Sequence, residues 1–408
     1  MKDIKIRSIS LKSFKGFDDI TIDCAKNDTE LYQWTVLLGN NNTGKTRILQ
    51  AIAGMRTYQL TSKDNKPLKK IIIPQIAPEM VHFSNKYNKQ NCEISCILTN
   101  YGPWEVNSKA LSVEQEDKLE NFHIFGYGVS RYPSVNNNNV SEPVQESDVC
   151  DTLFSHEKRL VNIQEWLMQL DYSVKNNNQA MQKRLDLVRE VICSNIFPEI
   201  DDFDFNSTDD GRNYVLFKTK DGKFRYTELG FGYQSMLSWI VDLCKRMFET
   251  FPNSENPLLE SAVVLVDEID LHLHPKWQRE VISYVSDIFK NVQFIVTTHS
   301  PLVIQSMQEV NLYVLRRDDD DKITVEHSPI TNFSGWSVEE ILRDTMKLDN
   351  DIQSNYLQES YRLFDEGLDN NDVAKARDAY STLIKILHPN NPARRLLKLQ
   401  LDQMEIND

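Results

Sequence analysis

Three short apolar runs stand out along this chain of 408 residues, and each predicts a buried strand. They cover residues 35–38, 263–266 and 294–296. An apolar run without alternation is typical of a parallel strand that is covered on both faces. After the first run, apolar residues repeat at helical spacing, at Ile48, Leu49, Ile52 and Ala53. The pattern predicts a strand, a loop and a helix at the first run, within an α/β fold.

The remaining pattern divides the chain into further segments. Residues 153–197 have apolar positions at helical spacing, residues 203–227 favour a hairpin that turns at Asp221 and Gly222, and helices follow residue 330. Residues 134–146, rich in Asn, Val and Pro, favour a mobile loop. We therefore expect an N-terminal lobe at 1–133, a flexible loop and helical insertion at 134–205, a C-terminal lobe at 206–330 and a helical interaction module at 331–408.

Composition limits the class of protein. The net charge is −14, from 60 acidic and 46 basic residues, so a grip on nucleic acid would need a local basic groove or a basic partner. The N-terminus lacks the apolar core of a signal peptide, and no stretch is long enough to span a bilayer. We therefore expect a cytoplasmic protein without a membrane partner. Its six cysteines, including Cys92 and Cys96 in a predicted strand, are expected to be reduced core residues.

The loop after the first apolar run has the sequence GNNNTGKT, between a predicted strand and a predicted helix. That context is typical of a P-loop, in which backbone N–H groups and the helix N-terminus converge on phosphate oxygens. Lys45 would reach the β- and γ-phosphates of ATP, and the Thr46 hydroxyl would bind Mg²⁺. The predicted nucleotide contacts are Gly39, Asn40, Asn41, Asn42, Thr43, Gly44, Lys45, Thr46 and the adjacent Arg47.

Polar residues follow the other two apolar runs. Asp267 and Glu268 come directly after residues 263–266, at the strand end where parallel sheets bind ligands. We expect Asp267 to hold Mg²⁺ and Glu268 to orient and deprotonate the attacking water. His299 follows the third run and could contact the γ-phosphate. Lys45, Glu268 and His299 are therefore the candidate catalytic residues.

These motifs resemble the ABC-type ATPase heads of the SMC/RecF/OLD superfamily. The resemblance is based on the P-loop, on DEIDLHLHP and TTHSP downstream, and on the opening IRSISLKSFKGF. It implies a P-loop NTPase fold with two sheet-containing lobes, a short helical insertion and a helical C-terminal tail. In such heads a basic residue of the opening strand approaches the nucleotide, which makes Lys15 a candidate. The insertion is too short for the long coiled coil of SMC proteins.

The resemblance also implies a signature loop that caps the ATP bound by a partner head. The best candidate is ELGFGYQSMLSWI at 228–240, in which Gly230, Gly232 and Tyr233 would contact nucleotide. Gly230 stands where relatives have a phosphate-contacting serine. Behind the loop, apolar residues recur at helical spacing and predict an amphipathic helix. A simple glycine turn before a core helix is the alternative interpretation.

A divided ATP site predicts pairs of heads. If each ATP lies between one P-loop and a partner's signature loop, two chains must pair around a two-fold axis, giving a homodimer or a higher even-numbered oligomer. Residues 270–275 would form the D-loop of that interface. His272 and His274 could instead indicate zinc, but no third ligand of suitable type is nearby in the sequence.

Over nearly its whole length the chain resembles the PtuA-like ATPases of Septu anti-phage defence systems, including retron-associated forms. That resemblance implies a separately encoded HNH nuclease (PtuB-like) as partner, with nucleic acid engaged indirectly. Two alternatives stay open: a stand-alone SMC/RecF-like DNA-repair ATPase, and a regulatory scaffold that binds ATP with little turnover. The acidic run at 318–321 could indicate an intrinsic nuclease centre, but its position between two predicted strands favours a hairpin tip.

Overall fold

The computed structural model describes residues 3–55, 93–107, 122–133, 149–209, 211, 213–318, 322–348 and 354–407. It divides into two compact units, Met1–Val338 and Glu339–Asp408. The strands of the described residues are β1 (Ile6–Phe14), β2 (Phe17–Asp23), β3 (Trp34–Gly39), β4 (Glu93–Leu98), β5 (Gly102–Asn107), β6 (Ile124–Tyr127), β7 (Ile200–Ser207), β8 (Asn213–Thr219), β9 (Gly222–Phe224), β10 (Val263–Val266), β11 (Gln293–Thr298), β12 (Asn311–Arg317) and β13 (Ile323–His327).

A six-stranded sheet in the order β13-β12-β3-β11-β10-β6 lies at the centre of the first unit. Its strands are parallel except for β13, which pairs antiparallel with β12. All residues of β3, β10 and β11 are buried, as the apolar runs predict. The sheet takes β3 and β6 from the predicted N-terminal lobe and β10 to β12 from the predicted C-terminal lobe. The two segments therefore share one sheet, and the four-region division of the chain stays a prediction.

A second, antiparallel sheet has the order β2-β1-β4-β5. In β4 the residues Ile94, Cys96 and Leu98 are buried and alternate with more accessible positions, as the sequence predicts. Cys92 lies outside the described residues, as does the predicted mobile loop at 134–146. Side chains of β1, β2 and β4 form one apolar core with the apolar residues of 48–53, which follow the loop after β3.

The helices of the first unit are α1 (Lys45–Ala53), α2 (Asp151–Phe154), α3 (Ile163–Lys175), α4 (Gln179–Ile192), α5 (Phe231–Thr250), α6 (Pro275–Gln278), α7 (Val281–Ile288) and α8 (Pro301–Gln305). Short 3₁₀ turns lie at Tyr226–Glu228 and Pro257–Leu259. The predicted helical insertion corresponds to α2, α3 and α4. No helix in the part of the chain that the structure describes is both long enough and apolar enough to cross a membrane.

Two sequence expectations for the segment before α5 need correction. Residues 203–227 are not a single hairpin, because β8 pairs with β7 on one side and with the short β9 on the other. The turn at Asp221 and Gly222 is as predicted, with Gly222 at φ +137°. The helix behind the signature loop is not amphipathic, since every residue from Ser235 to Phe248 is buried. Helix α5 lies inside the unit, so its polar side chains must find partners there.

Asp242, in the middle of α5, is one of these buried polar residues. Its carboxylate is 1% exposed and accepts hydrogen bonds from Tyr127 Oη (3.1 Å), Arg246 Nε (3.1 Å) and the backbone N–H of Val161 (3.1 Å). Burial and the Asp242 charge raise the pKa of Tyr127 well above its ordinary value, so the phenol stays protonated as a donor. Tyr127 ends β6, and this network therefore joins α5 to the edge strand of the central sheet.

The second unit is helical. Helix α9 (Val338–Glu340) spans the boundary, a π-helical turn follows at Ile341–Thr345, and three helices complete the unit: α10 (Asn355–Asp369), α11 (Val373–Ile386) and α12 (Ala393–Asn407). Helices α10 and α11 approach closely at Gly367, where a Cβ atom would lie 2.6 Å from the backbone nitrogen of Ala376. The hairpin β12-β13 of the first unit confirms the predicted strands on either side of the acidic run, whose residues 319–321 lie outside the described part.

Candidate functional site

The order of the central sheet brings the three sequence motifs together. Strands β3, β11 and β10 are consecutive neighbours and parallel, so their carboxyl ends meet at one edge. Loop 39–46 follows β3, Asp267 and Glu268 follow β10, and His299 follows β11. Topology thus unites residues that are more than 200 positions apart in the chain.

Glycines shape the loop after β3. Gly44, which caps α1, has a φ of +90°, and a Cβ atom there would lie 2.6 Å from the ring of Phe17. A Cβ atom at Gly39 would lie 2.4 Å from the carbonyl oxygen of Leu315. No larger residue fits either position without movement of the surrounding backbone or ring. The loop is therefore fixed between the β1–β2 turn and strand β12.

Lys45 is the buried cation of this loop. It is 6% exposed, and its Nζ donates to the carbonyl oxygens of Gly39 (2.7 Å) and Asn40 (2.8 Å). Burial lowers the pKa of Lys45 to about 8, although the carboxylates of Asp267, Glu268 and Asp270 oppose the shift. The ammonium group remains mostly protonated at pH 7 and is held by carbonyls that phosphate oxygens can replace.

Asp267 connects the three strand ends. Its Oδ2 accepts a hydrogen bond from Thr46 Oγ1 (2.8 Å), and its Oδ1 accepts one from Thr297 Oγ1 (2.6 Å). The carboxylate is buried, while Thr46 is accessible beside it. A hydroxyl and a carboxylate oxygen in direct contact form the kind of hard oxygen donor set that suits Mg²⁺. These residues therefore fit the metal that the sequence predicts.

Glu268 has an unusual backbone conformation. Its φ is +48°, in the left-handed region, which costs a glutamate on the order of 1–2 kcal/mol. Its N–H donates to Thr297 Oγ1 (2.7 Å), and its Oε1 lies 4.0 Å from His299 Nε2. The side chain is 32% exposed and is therefore accessible to water. Burial, and then the charge of Lys45, lower the pKa of His299, so the imidazole is neutral at pH 7.

Two arginines at this edge escaped the sequence analysis. Arg131 is 2% exposed, and its Nη2 donates to the carbonyl oxygens of Asp267 (3.0 Å) and Glu268 (2.5 Å). Arg317 Nη2 donates to the carbonyl oxygen of Asn42 (2.7 Å), whose φ is +64°. Both arginines bind backbone carbonyls of a distant loop. Sequence spacing does not reveal such contacts between distant segments. Arg131 lies in the segment FGYGVSRYP, which begins within β6.

The other predicted nucleotide contacts have different surroundings. Thr43 is buried and donates to the carbonyl oxygen of Asn40 (2.8 Å), while Asn41 is exposed. Lys15 lies in the β1–β2 turn at φ +52°, next to Gly16. A Cβ atom at Gly16 would lie 3.7 Å from Nη1 of Arg47, so this turn adjoins the start of α1.

The predicted signature loop packs against residues 270–275. A Cβ atom at Gly232 would lie 2.8 Å from the carbonyl oxygen of His272, and the ring of Tyr233 meets Trp277 edge to face at 4.1 Å between centroids. Tyr233 thus packs within its own chain. Gly230 differs, since no described residue apart from its two chain neighbours comes within 4 Å of the position its Cβ would take, and the adjacent Phe231 is 70% exposed.

The histidines of the predicted D-loop have backbone roles. His274 caps α6, where its Nδ1 accepts from the N–H of Lys276 (3.3 Å). His272 has a φ of +64°. The described residues contain no group of three or more His, Cys, Asp or Glu that could hold a metal ion, so nothing there supports the zinc alternative.

The chain matches a family model described as an AAA ATPase domain, over residues 4–126 and 130–304. The Septu protein PtuA of Bacillus thuringiensis is 36% identical over 193 residues, covering 46% of this chain and 48% of that protein. The chain thus spans about half the length of that relative. The Retron Ec83 probable ATPase of Escherichia coli is 24% identical over 481 residues, covering 98% of this chain and 87% of that protein.

Among solved structures, the Smc head domain of Pyrococcus furiosus with an extended coiled coil matches at 13% identity and a TM-score of 0.44, over 85% of this chain and 100% of that chain. The predicted relationship to Septu PtuA and retron ATPases is confirmed by the sequence matches, and the predicted P-loop ATPase fold is confirmed by the family model. Because the matched residues make up more than half of its length, this chain belongs to the AAA ATPase domain family.

Proposed function

We propose that this protein is a Mg²⁺-dependent ATP-binding and ATP-hydrolysing subunit of a bacterial anti-phage defence complex. The observation that supports hydrolysis best is the contact of Thr46, Asp267 and Thr297 at the ends of three adjacent strands. This contact links the loop that would bind phosphates to the strand end that carries the acidic pair. A protein that only bound ATP would not need Glu268 at that place.

Each residue has a separate task in this proposal. The backbone of residues 39–46 and the ammonium group of Lys45 bind the phosphates. Thr46 and Asp267 would hold Mg²⁺, which neutralises phosphate charge when bound. Glu268 orients a water molecule and accepts its proton, and neutral His299 can donate a hydrogen bond to the terminal phosphate. Arg47 and Lys15, near the start of α1, would add positive charge.

We further propose that two heads close around ATP. Gly230 supports this step, because the open space around it leaves room for the phosphates of a partner's nucleotide. The N-terminus of α5 directs its backbone N–H groups to the same side, and helix N-termini favour anions. Gly232 contributes differently, since it allows the loop to approach residues 270–275. Tyr233, packed on Trp277, would act by stabilising that loop.

The defence role is proposed from the relatives' names, which include Septu PtuA and a retron ATPase. In this view ATP-driven closing and opening of the heads controls a separate HNH nuclease. The net charge of −14 favours a partner that supplies the contact with nucleic acid. The stand-alone repair ATPase and the scaffold with little turnover remain the alternatives.

Two substitutions separate ATP binding from hydrolysis. Lys45→Ala should weaken ATP binding about tenfold or more, because a charge-assisted phosphate contact is lost. Glu268→Gln should keep the ATP Kd within about twofold but lower kcat about 100-fold or more, because the general base is removed. The measurements are nucleotide titration and steady-state phosphate release. Glu255→Gln, at an exposed position after α5, is the control, and wild-type turnover in Glu268→Gln would refute the base assignment.

The lowered pKa of Lys45 predicts that ATP affinity depends on pH. The free protein holds Lys45 protonated below pH 8, whereas above that value binding must be accompanied by proton uptake. Between pH 7 and pH 9 the ATP Kd of the Glu268→Gln protein should therefore rise about tenfold. In a Lys45→Arg, Glu268→Gln protein the Kd should stay nearly constant, since a guanidinium does not titrate there. Equal pH dependence in both proteins would contradict this explanation.

Head pairing can be tested at Gly230. Gly230→Glu should fold normally, because the side chain enters open space, but its charge should repel the partner's phosphates. We expect the ATP-dependent doubling of mass in light scattering to be lost, with ATP affinity of the monomer kept. Gly335→Glu is the matched control, since the described part of the chain also leaves the Cβ position of that glycine open to 4 Å, its chain neighbours aside. An ATP-dependent dimer formed by Gly230→Glu would exclude the divided site.

The partner can be identified from the genomic neighbourhood. We expect a small HNH protein encoded beside this chain to co-purify with it, and its nuclease activity to change when Glu268→Gln blocks hydrolysis. The readout is co-elution in gel filtration together with plasmid cleavage. A chain that elutes alone and binds duplex DNA only with ATP would instead support the repair alternative.

A further inference from the structure

Arg131 lies behind the Asp267–Glu268 turn. It follows β6, which pairs with β10, and its segment is anchored by the hydrogen bond from the N–H of Leu160 to the carbonyl oxygen of Tyr132 (2.9 Å). Its guanidinium is buried and donates to the backbone of the turn. The Arg131 side chain therefore extends from a backbone segment that the central sheet and the Leu160–Tyr132 hydrogen bond hold in place.

The two bonds of Arg131 hold both peptide groups around the Cα atom of Glu268. The carbonyl of Asp267 belongs to the peptide before Glu268, and the carbonyl of Glu268 belongs to the peptide after it. Thr297 fixes the first of these peptides from its N–H side. Once both peptide planes are fixed, the direction of the Cα–Cβ bond of Glu268 follows, and with it the origin from which the carboxylate extends.

Holding Glu268 in this way opposes its intrinsic preference. A glutamate at φ +48° keeps that conformation only when its surroundings impose it. A buried arginine is itself costly, and Arg131 is 2% exposed with no hydrogen-bond partner for its Nε among the described residues. Arg246, by contrast, is buried with the carboxylate of Asp242 as its partner. A cation placed on two carbonyls of a strained turn indicates a role at that turn.

We propose that Arg131 is a positioning residue for hydrolysis, which fixes the backbone of Glu268 so that its carboxylate faces the attacking water. This proposal rests on the proposed ATPase function. The hydrogen bonds of Arg131 go to the Asp267–Glu268 turn, so we expect it to act on the chemical step and to leave ATP binding to the loop at 39–46. Both bonds come from one nitrogen, Nη2, at the end of the long arginine side chain. A lysine keeps the charge and the donors on a shorter side chain, so it should restore the role only in part.

The test compares Arg131→Met, Arg131→Lys and wild type. Arg131→Met should lower kcat about 100-fold while the ATP Kd changes less than about twofold, since misplacement of a catalytic group lowers the rate of the chemical step. Arg131→Lys should lie between the two. Arg394→Met is the control, because Arg394 also donates to two backbone carbonyls, those of Ile384 (2.7 Å) and Leu387 (2.7 Å), in the second unit. Thermal unfolding of each variant monitors whether it is folded.

A double substitution distinguishes positioning from general destabilisation. If Arg131 acts through Glu268, adding Arg131→Lys to Glu268→Gln should change the residual rate less than about twofold. Equal loss in both backgrounds, or an ATP Kd that rises as much as kcat falls, would overturn the proposal. A wild-type protein without ATP turnover would contradict the proposed function as well. An active wild type with unchanged Arg131→Met would contradict this inference alone.

Discussion

The carboxylate of Asp267 is the contact on which the site depends. It ends β10 and accepts hydrogen bonds from Thr46, at the start of α1, and from Thr297, near the end of β11. Three strands that are adjacent in the sheet but distant in sequence are thereby joined at their carboxyl ends by one buried anion. Removal of this carboxylate would leave two hydroxyls without their acceptor at the place where phosphates are expected.

Arg131 and Arg246, both buried in the first unit, are stabilised in different ways. Burial alone would lower the pKa of Arg246, but the adjacent Asp242 carboxylate outweighs burial and holds the pKa above its ordinary value. Within the described residues, the hydrogen-bond acceptors of Arg131 are two backbone carbonyl oxygens, and burial lowers its pKa. An ion pair explains Arg246 as part of the packing of α5. The less favourable surroundings of Arg131 are explained if the position of Glu268 matters more than local stability.

Helix α5 connects the proposed dimer contact with the interior of the head. Its first residues, Gly230 and Phe231, are accessible, whereas residues 235–248 are buried and joined to β6 through Asp242 and Tyr127. Strand β6 leads in turn to Arg131 and the Asp267–Glu268 turn. A partner bound at the start of α5 would therefore contact a helix that is hydrogen-bonded to β6. The segment after β6 is in turn hydrogen-bonded to the Asp267–Glu268 turn.

The sequence by itself determined the elements that depend on local chemistry. The buried strands, the glycine loop and the acidic pair could all be predicted, because an uninterrupted apolar run and the glycine positions restrict the backbone directly. Only the tertiary structure decided that α5 is buried on all sides, that β7 joins β8 and β9, and that Arg131 and Arg317 hold distant loops. Helical periodicity indicates which face of a helix packs on its own neighbours, but not whether other segments cover the opposite face. A long arginine side chain can reach backbone carbonyls of any segment that the fold brings near. Sequence therefore identified the groups proposed to perform the chemistry, whereas packing between distant segments determined what holds them in position.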